Sequence, residues 1–187
     1  MIIKSFETNK INISKNNIIL MYGKNEGLKK EITNNLILNV EDISSYEEKE
    51  IIESPSIFFD SILNKSLFTN QKVIIIKRAS DKILKIIEKI LDTEIRDIII
   101  INAENLDKKS KLRSLFEKDK KLICIPFYPD NQQTLSKITS NYLSSKKIQM
   151  SQININLIVS KCNGDREKLF NELNKIENYS LSGKKLD

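Results

Sequence analysis

The chain predicts an α/β fold: a parallel sheet with helices on both faces, followed by a small all-helical unit. Three observations carry this. Short apolar runs of strand length alternate with helix-period segments up to residue 127. Those runs are continuous rather than alternating, as in strands buried on both faces. Beyond Pro126 and Pro129 no further strand pattern occurs, only helical periodicity.

Each element has its own signal. Ile18–Tyr22 is a buried strand, ended by Gly23, and Glu26–Leu38 is a helix. A strand follows over Glu41–Tyr46. Ser54-Pro55 is a helix start, serine as N-cap and proline at the first helical position, with Ile57, Phe58, Ile62 and Leu63 along the helix. Val73–Ile76 is the next strand. Ser80 caps a helix whose Ile83, Ile86, Ile87, Ile90 and Leu91 fall on one face. Ile98–Ile101 is a strand, Asp107 opens a helix with Leu112, Leu115 and Phe116 inward, and Leu122–Phe127 is the last strand. Gln132–Lys146, Ser151–Cys162 and Asp165–Tyr179 are three helices, the last two separated by Asn163-Gly164. The domains are therefore 1–130 and 131–187.

Composition excludes several classes. With 187 residues, 40% hydrophobic and 30% charged, the chain can bury a core. Its longest apolar run is Ile18–Tyr22, too short for a membrane span or a signal-peptide core. Cys124 and Cys162 lack CxxC spacing and read as buried reduced thiols of a cytoplasmic protein. There is no histidine, which removes the commonest general base and the commonest metal ligand, so no metal or cofactor is expected. The net charge of +6 lies mostly beyond residue 80, where 20 basic side chains face 15 acidic ones. Lys108, Lys109, Lys111 and Arg113 head that excess, followed by Lys118, Lys120 and Lys121. Such a stretch is either a solvated helix face or a surface for nucleic acid. Lys77-Arg78 reads as a solvated strand end, and Glu172 with Lys175 as a surface pair.

A parallel sheet followed by a helical unit is the layout of a P-loop ATPase of the AAA+ type. The segment after the first strand, MYGKNEGLKKEI, does not meet the chemical requirement. A working loop is GxxxxGK followed by Ser or Thr: backbone N–H groups cradle phosphates, lysine neutralises them and the hydroxyl holds Mg²⁺. Here three residues separate Gly23 from Gly27, Leu28 follows the second glycine, and no hydroxyl follows Lys29. Neither Lys24 nor Lys29 has the required context. The strand Ile98–Ile101 is followed by Asn102 and Ala103, with Glu104 displaced. Both halves of an ATPase site fail independently. No hydrolytic activity is expected, and only weak anion binding at the helix start Gly23–Gly27 is left.

The stretch ILNKSLFTNQKVIIIKRA sets the apolar pair Leu67-Phe68 between Ser66 and Thr69-Asn70-Gln71. Such a pair either caps the core or reaches for a partner. With IILMYGKNEGL, SLFTNQKVIIIKRA, RDIIIINAENLDKKSKL and GDREKLFNELNKI in this order, the chain resembles the delta subunit of the bacterial DNA polymerase III clamp loader. The resemblance spans nearly all 187 residues. It implies an AAA+-like domain with a degenerate nucleotide site, then a helical lid, as in the N-terminal two domains of that family. The family's helical collar domain has no counterpart here, which leaves pentamer assembly open. It further implies a non-catalytic accessory subunit of a DNA-directed DNA polymerase, a nucleotidyltransferase complex. That subunit would bind and open the sliding clamp (the beta subunit) during DNA replication, with the other clamp-loader subunits as partners and DNA met within the complex. The residues at the clamp-contacting position are Leu67 and Phe68, with Ser66 beside them. Two alternatives are a diverged nucleotide-binding ATPase or switch, and a basic nucleic-acid-binding protein. The second would need aromatic residues interleaved with its lysines. Phe116, the aromatic of the basic stretch, falls on the inward face of its helix.

Overall fold

The computed structural model describes residues 1–13, 15–38, 40–63, 72–93, 95 and 97–182. By internal contact the chain forms two units, Met1–Lys24 with Glu31–Phe127, and Asn25–Lys30 with Tyr128–Asp187.

The first unit is built on five parallel strands in the order β2-β3-β4-β1-β5: β1 (Ile18–Gly23), β2 (Asp42–Glu47), β3 (Lys72–Ala79), β4 (Ile98–Ala103) and β5 (Ile123–Phe127). The central strands are apolar because both their faces are covered. Ile98, Ile99, Ile100 and Ile101 are each at most 2% exposed, and β1 is buried along its whole length. Each such isoleucine stabilises the fold by roughly 1.5–3 kcal/mol relative to an exposed one. β2 lies at the sheet edge, and its alternating half-exposed pattern, with Ile43 exposed, fits that place. Helices α1 (Glu26–Leu36), α2 (Glu48–Glu53), α3 (Pro55–Leu63), α4 (Leu84–Leu91) and α5 (Lys111–Lys118) alternate with the strands.

The structure adds to the sequence reading at α3 and departs from it around α5 and in two further elements. In α3 the buried face is Phe58, Phe59 and Ile62, while Ile57 and Leu63 are exposed. Phe59 wins the inward position by stacking edge-to-face on Phe58, which in turn meets Tyr46. Asp107 does not open α5. Its carboxylate instead accepts from the Lys109 N–H and closes a turn, and Ser110 is the N-cap, accepting from the Arg113 N–H. Two further elements appear: a 3-10 turn over Ser5–Lys10, and α2, started by a capping box between Glu47 and Glu50. Glu48 of α2 then accepts from the backbone N–H and hydroxyl of Ser80, fixing the exit of β3.

The start of α5 is held from outside the helix. Asp81, in the 3-10 turn Asp81–Ile83 after β3, accepts from the Ser110 hydroxyl at 2.6 Å and from the N–H groups of Lys111 and Leu112. Burial raises its carboxyl pKa, but the Ser110, Leu112 and Lys111 hydrogen bonds outweigh that and hold it below the ordinary value. Asp81→Ala removes three acceptor contacts at once. It is expected to cost about 1–2 kcal/mol, read as a lower urea midpoint with unchanged slope. An unchanged midpoint would show that the helix start is equally well satisfied by water.

The second unit holds α6 (Gln132–Ser145), α7 (Gln152–Cys162) and α8 (Arg166–Leu181) around Leu135, Leu143, Ile155, Val159, Cys162, Leu169 and Leu173. Asn131, Ser151 and Asp165 each cap their helix by accepting from the third following N–H. Asn163 in the left-handed region ends α7 before Gly164. Glu177 bridges Lys146 and the Tyr142 hydroxyl; those two hydrogen bonds, Lys146 first, hold its carboxyl below the ordinary range, while its own bond pushes Tyr142 up to about 12. Both lowered carboxyls, Asp81 and Glu177, stabilise the ionised fold. Their contribution is complete above the ordinary values of 3.8 and 4.5 and is lost as pH falls through the lower native ones. Acid titration of wild type against Asp81→Asn/Glu177→Gln is expected to show a shallower stability loss below about pH 4 in the variant; coincident curves would refute the assignment.

Among the described residues no helix is long and apolar enough to cross a membrane, and no group of three or more His, Cys, Asp or Glu is placed to hold a metal.

Candidate functional site

Residues Gly23 to Gly27 divide between the two units, and each end is taken up by its own unit. Gly23 closes β1 with φ +124°, and its N–H donates to the Glu104 carbonyl at 2.6 Å. A Cβ there would lie 2.0 Å from the Phe127 carbonyl oxygen, so the backbone of β5 fills the space beside it. The following Lys24 is exposed. On the later strand, Asn102 is half-buried with its side-chain oxygen unpaired among the described residues, and Glu104 is exposed.

In the second unit the start of α1 is filled by side chains. Asn25 is 2% exposed and acts as N-cap, its oxygen accepting from the Leu28 N–H. Its amide donates to the Tyr128 carbonyl and to the Asp130 carboxylate, both at 3.0 Å. Arg166, the first residue of α8, donates through Nε and one terminal nitrogen to the two Asp130 oxygens at 2.8 and 2.9 Å. Each side chain of this pair is 9% exposed. A cation at a helix N-terminus opposes the helix dipole, and the bidentate carboxylate answers that charge. Gly27 completes the closure: a Cβ on it would lie 2.8 Å from the Glu167 backbone nitrogen. Lys29 is turned inward at 3% exposure, its ammonium 2.5 Å from Glu26. Lys29 is therefore turned away from solvent and paired with Glu26, not presented to an external anion.

This clasp of Asn25, Asp130 and Arg166 was not anticipated from the sequence. One signal for it was legible: an arginine opening a helix, in GDREKL, is opposed by the helix dipole and is favoured there by a nearby carboxylate. Which carboxylate, 36 positions away, only the fold decides.

Ser66, Leu67 and Phe68 lie outside the described residues. The flanks of that stretch are fixed in the first unit: α3 ends at Leu63, and Lys72 opens β3 by donating its N–H to Asp97 and its ammonium to the Ser61 carbonyl. In the basic stretch Lys108, Lys109 and Lys111 are exposed. Arg113 parts from them. Its side chain is 19% exposed, paired with Glu117 at 2.8 Å, donating to the Leu106 carbonyl, and stacked over Tyr22 at 4.9 Å. Glu172 and Lys175 form an exposed pair at 2.7 Å. Cys124 and Cys162 are free and buried; burial first, then Glu117, pushes the Cys124 thiol up to about 12, which leaves it inert.

The five-stranded parallel sheet with helices on both faces is an AAA+ P-loop-type fold, as its structural neighbours also have. One such neighbour is the clamp loader delta protein of Bacillus subtilis, with a TM-score of 0.57 and 15% identity; the alignment covers 94% of this chain and 56% of that one. Others are AMPPCP-bound DnaA from Aquifex aeolicus (TM-score 0.62, 16% identity, 96% and 61% covered) and the RuvB Holliday junction branch migration motor of Thermotoga maritima (0.58, 12%, 89% and 56%). The chain thus spans little more than half the length of these proteins. No protein-family model and no curated protein matches the sequence.

Proposed function

We propose that this chain is a delta-type subunit of a sliding-clamp loader, a non-catalytic adaptor that binds the ring-shaped clamp and favours its open form. The fold it shares with a clamp loader delta protein supports this, but DnaA and RuvB share that fold too. The observation that separates the readings is the filled loop. Where an AAA+ motor needs an open phosphate cradle, this chain has Gly23 against the Phe127 backbone in its first unit, and in its second Asn25 and Arg166 both bonded to Asp130. A subunit of this kind works by differential binding alone: it opens a ring by fitting the open state better than the closed one.

In this reading Leu67 and Phe68 are the anchor residues, Ser66 stands beside them, and the clamp beta subunit is the partner. Lys108, Lys109 and Lys111, three exposed cations around the start of α5, are the part of the basic stretch suited to duplex phosphates inside the assembly. The deciding experiment is surface plasmon resonance of this chain on its own organism's sliding clamp, alongside titration with Mg-ATP. Saturable clamp binding without nucleotide dependence supports the proposal. Nucleotide binding without clamp binding would overturn it in favour of a diverged ATPase or switch.

A further inference from the structure

We infer that Asp130 is a built-in anion, standing on the protein's own chain for the phosphate that the start of α1 and the start of α8 would otherwise attract. Several independent contacts converge on it. Arg166 gives it two charge-assisted hydrogen bonds, Asn25 a third, and its own N–H donates to the Gly164 carbonyl at 3.0 Å. Gly164 is held in turn: with φ +80°, a Cβ on it would lie 2.8 Å from the Asp130 carbonyl oxygen.

The physics favours the internal anion over an external one. A carboxylate tethered at the mouth of the site has no translational entropy to lose on binding, whereas a free phosphate does. The Arg166 guanidinium is buried, so it holds a bidentate partner far more strongly than a surface cation would. Space is closed as well as charge. The backbone of Arg166 and Glu167 lies against Gly27, so that even a Cβ at this position would meet the Glu167 nitrogen at 2.8 Å. The start of this helical unit is therefore set in one arrangement permanently, without reporting nucleotide state. The premise that no nucleotide binds is shared with the proposed function, but loss of clamp binding alone would leave the built-in anion standing, and absence of formate rescue alone would leave the clamp reading standing.

The test is thermal unfolding of wild type, Asp130→Ala and Asp130→Asn at fixed ionic strength, in sodium chloride, sodium formate or sodium phosphate, with and without Mg-ATP. Wild type is expected to show the same midpoint with and without Mg-ATP, and each variant is compared with wild type in the same salt, because phosphate stabilises folded proteins generally. Asp130→Ala is expected to fall by roughly 10 °C in chloride and to recover at least half of that in formate or phosphate, which refill the vacated place beside Arg166. Asp130→Ala/Arg166→Leu is expected to show no such rescue. If Asp130→Ala does not fold, Asp130→Asn carries the test: it keeps the shape, loses the charge, and should lower the chloride midpoint. A wild-type midpoint raised by Mg-ATP would overturn the inference. So would an Asp130→Asn variant as stable as wild type, or an Asp130→Ala midpoint that, relative to wild type in the same salt, is as low in formate as in chloride.

Discussion

Replacing Leu67 and Phe68 together by alanine is expected to weaken binding to the sliding clamp at least about 100-fold and to leave the circular dichroism spectrum unchanged. An aliphatic and an aromatic anchor in one apolar pocket carry most of the energy of a small interface. Full burial of both is worth roughly 3–6 kcal/mol in area terms before association costs, and about 2.7 kcal/mol already corresponds to a hundredfold change in affinity. The flanking elements have their own anchors, Phe58, Phe59 and Ile62 in α3 and Val73–Ile76 in β3, so the double variant keeps the core that frames the stretch. Surface plasmon resonance against the clamp reads the affinity. Equal binding by variant and wild type would refute the role of the pair. A variant that loses the native spectrum would instead assign the pair to the core.

The second large effect is expected at Gly23→Ala. The φ of +124° is open to glycine and strained for any residue with a Cβ. The added carbon would also sit 2.0 Å from the Phe127 carbonyl oxygen, inside the parallel pairing of β1 with β5, where Gly23 is in register with Phe127. Relief requires the two strands to part at their C-terminal ends, and the Gly23 N–H hydrogen bond to Glu104 would go with them. A cost of about 4 kcal/mol or more follows, a size reached only by a few named mechanisms of which backbone strain with overpacking is one. Urea denaturation is the measurement, and a loss below about 1 kcal/mol would contradict the close approach of the two strands.

Much of the fold was legible because the sheet is buried on both sides. The runs Ile18–Tyr22, Val73–Ile76, Ile98–Ile101 and Leu122–Phe127 each fall within or adjoin a strand of the structure, since a fully buried strand must be apolar at every position. The edge strand β2 has a weaker signal, over Glu41–Tyr46, and the short helix α2 is not read from the sequence. Asp42–Glu47 needs only one apolar face, and Glu48–Glu53 has too few turns to show a period, so α2 is visible only through the Glu47/Glu50 capping box. The sequence places a helix at α3 but does not pick its inward face, because Ile57, Phe58, Phe59, Ile62 and Leu63 offer more apolar residues than one face can hold. Packing against Tyr46 and Lys89 then selects the two phenylalanines.

The sequence by itself determined the alternation of strand and helix, the change to helices alone after residue 130, and the lack of a GxxxxGK[ST] loop. It did so because burial and phosphate chemistry each demand particular residue types at fixed local spacing. The tertiary structure alone decided which side chains meet at the start of α1. Asn25 lies 105 positions and Arg166 36 positions from Asp130, and only folding brings an amide and a guanidinium within 3.0 Å of that one carboxylate. Local periodicity carries no record of such a meeting, because it arises from where helix ends arrive and not from what any one helix needs.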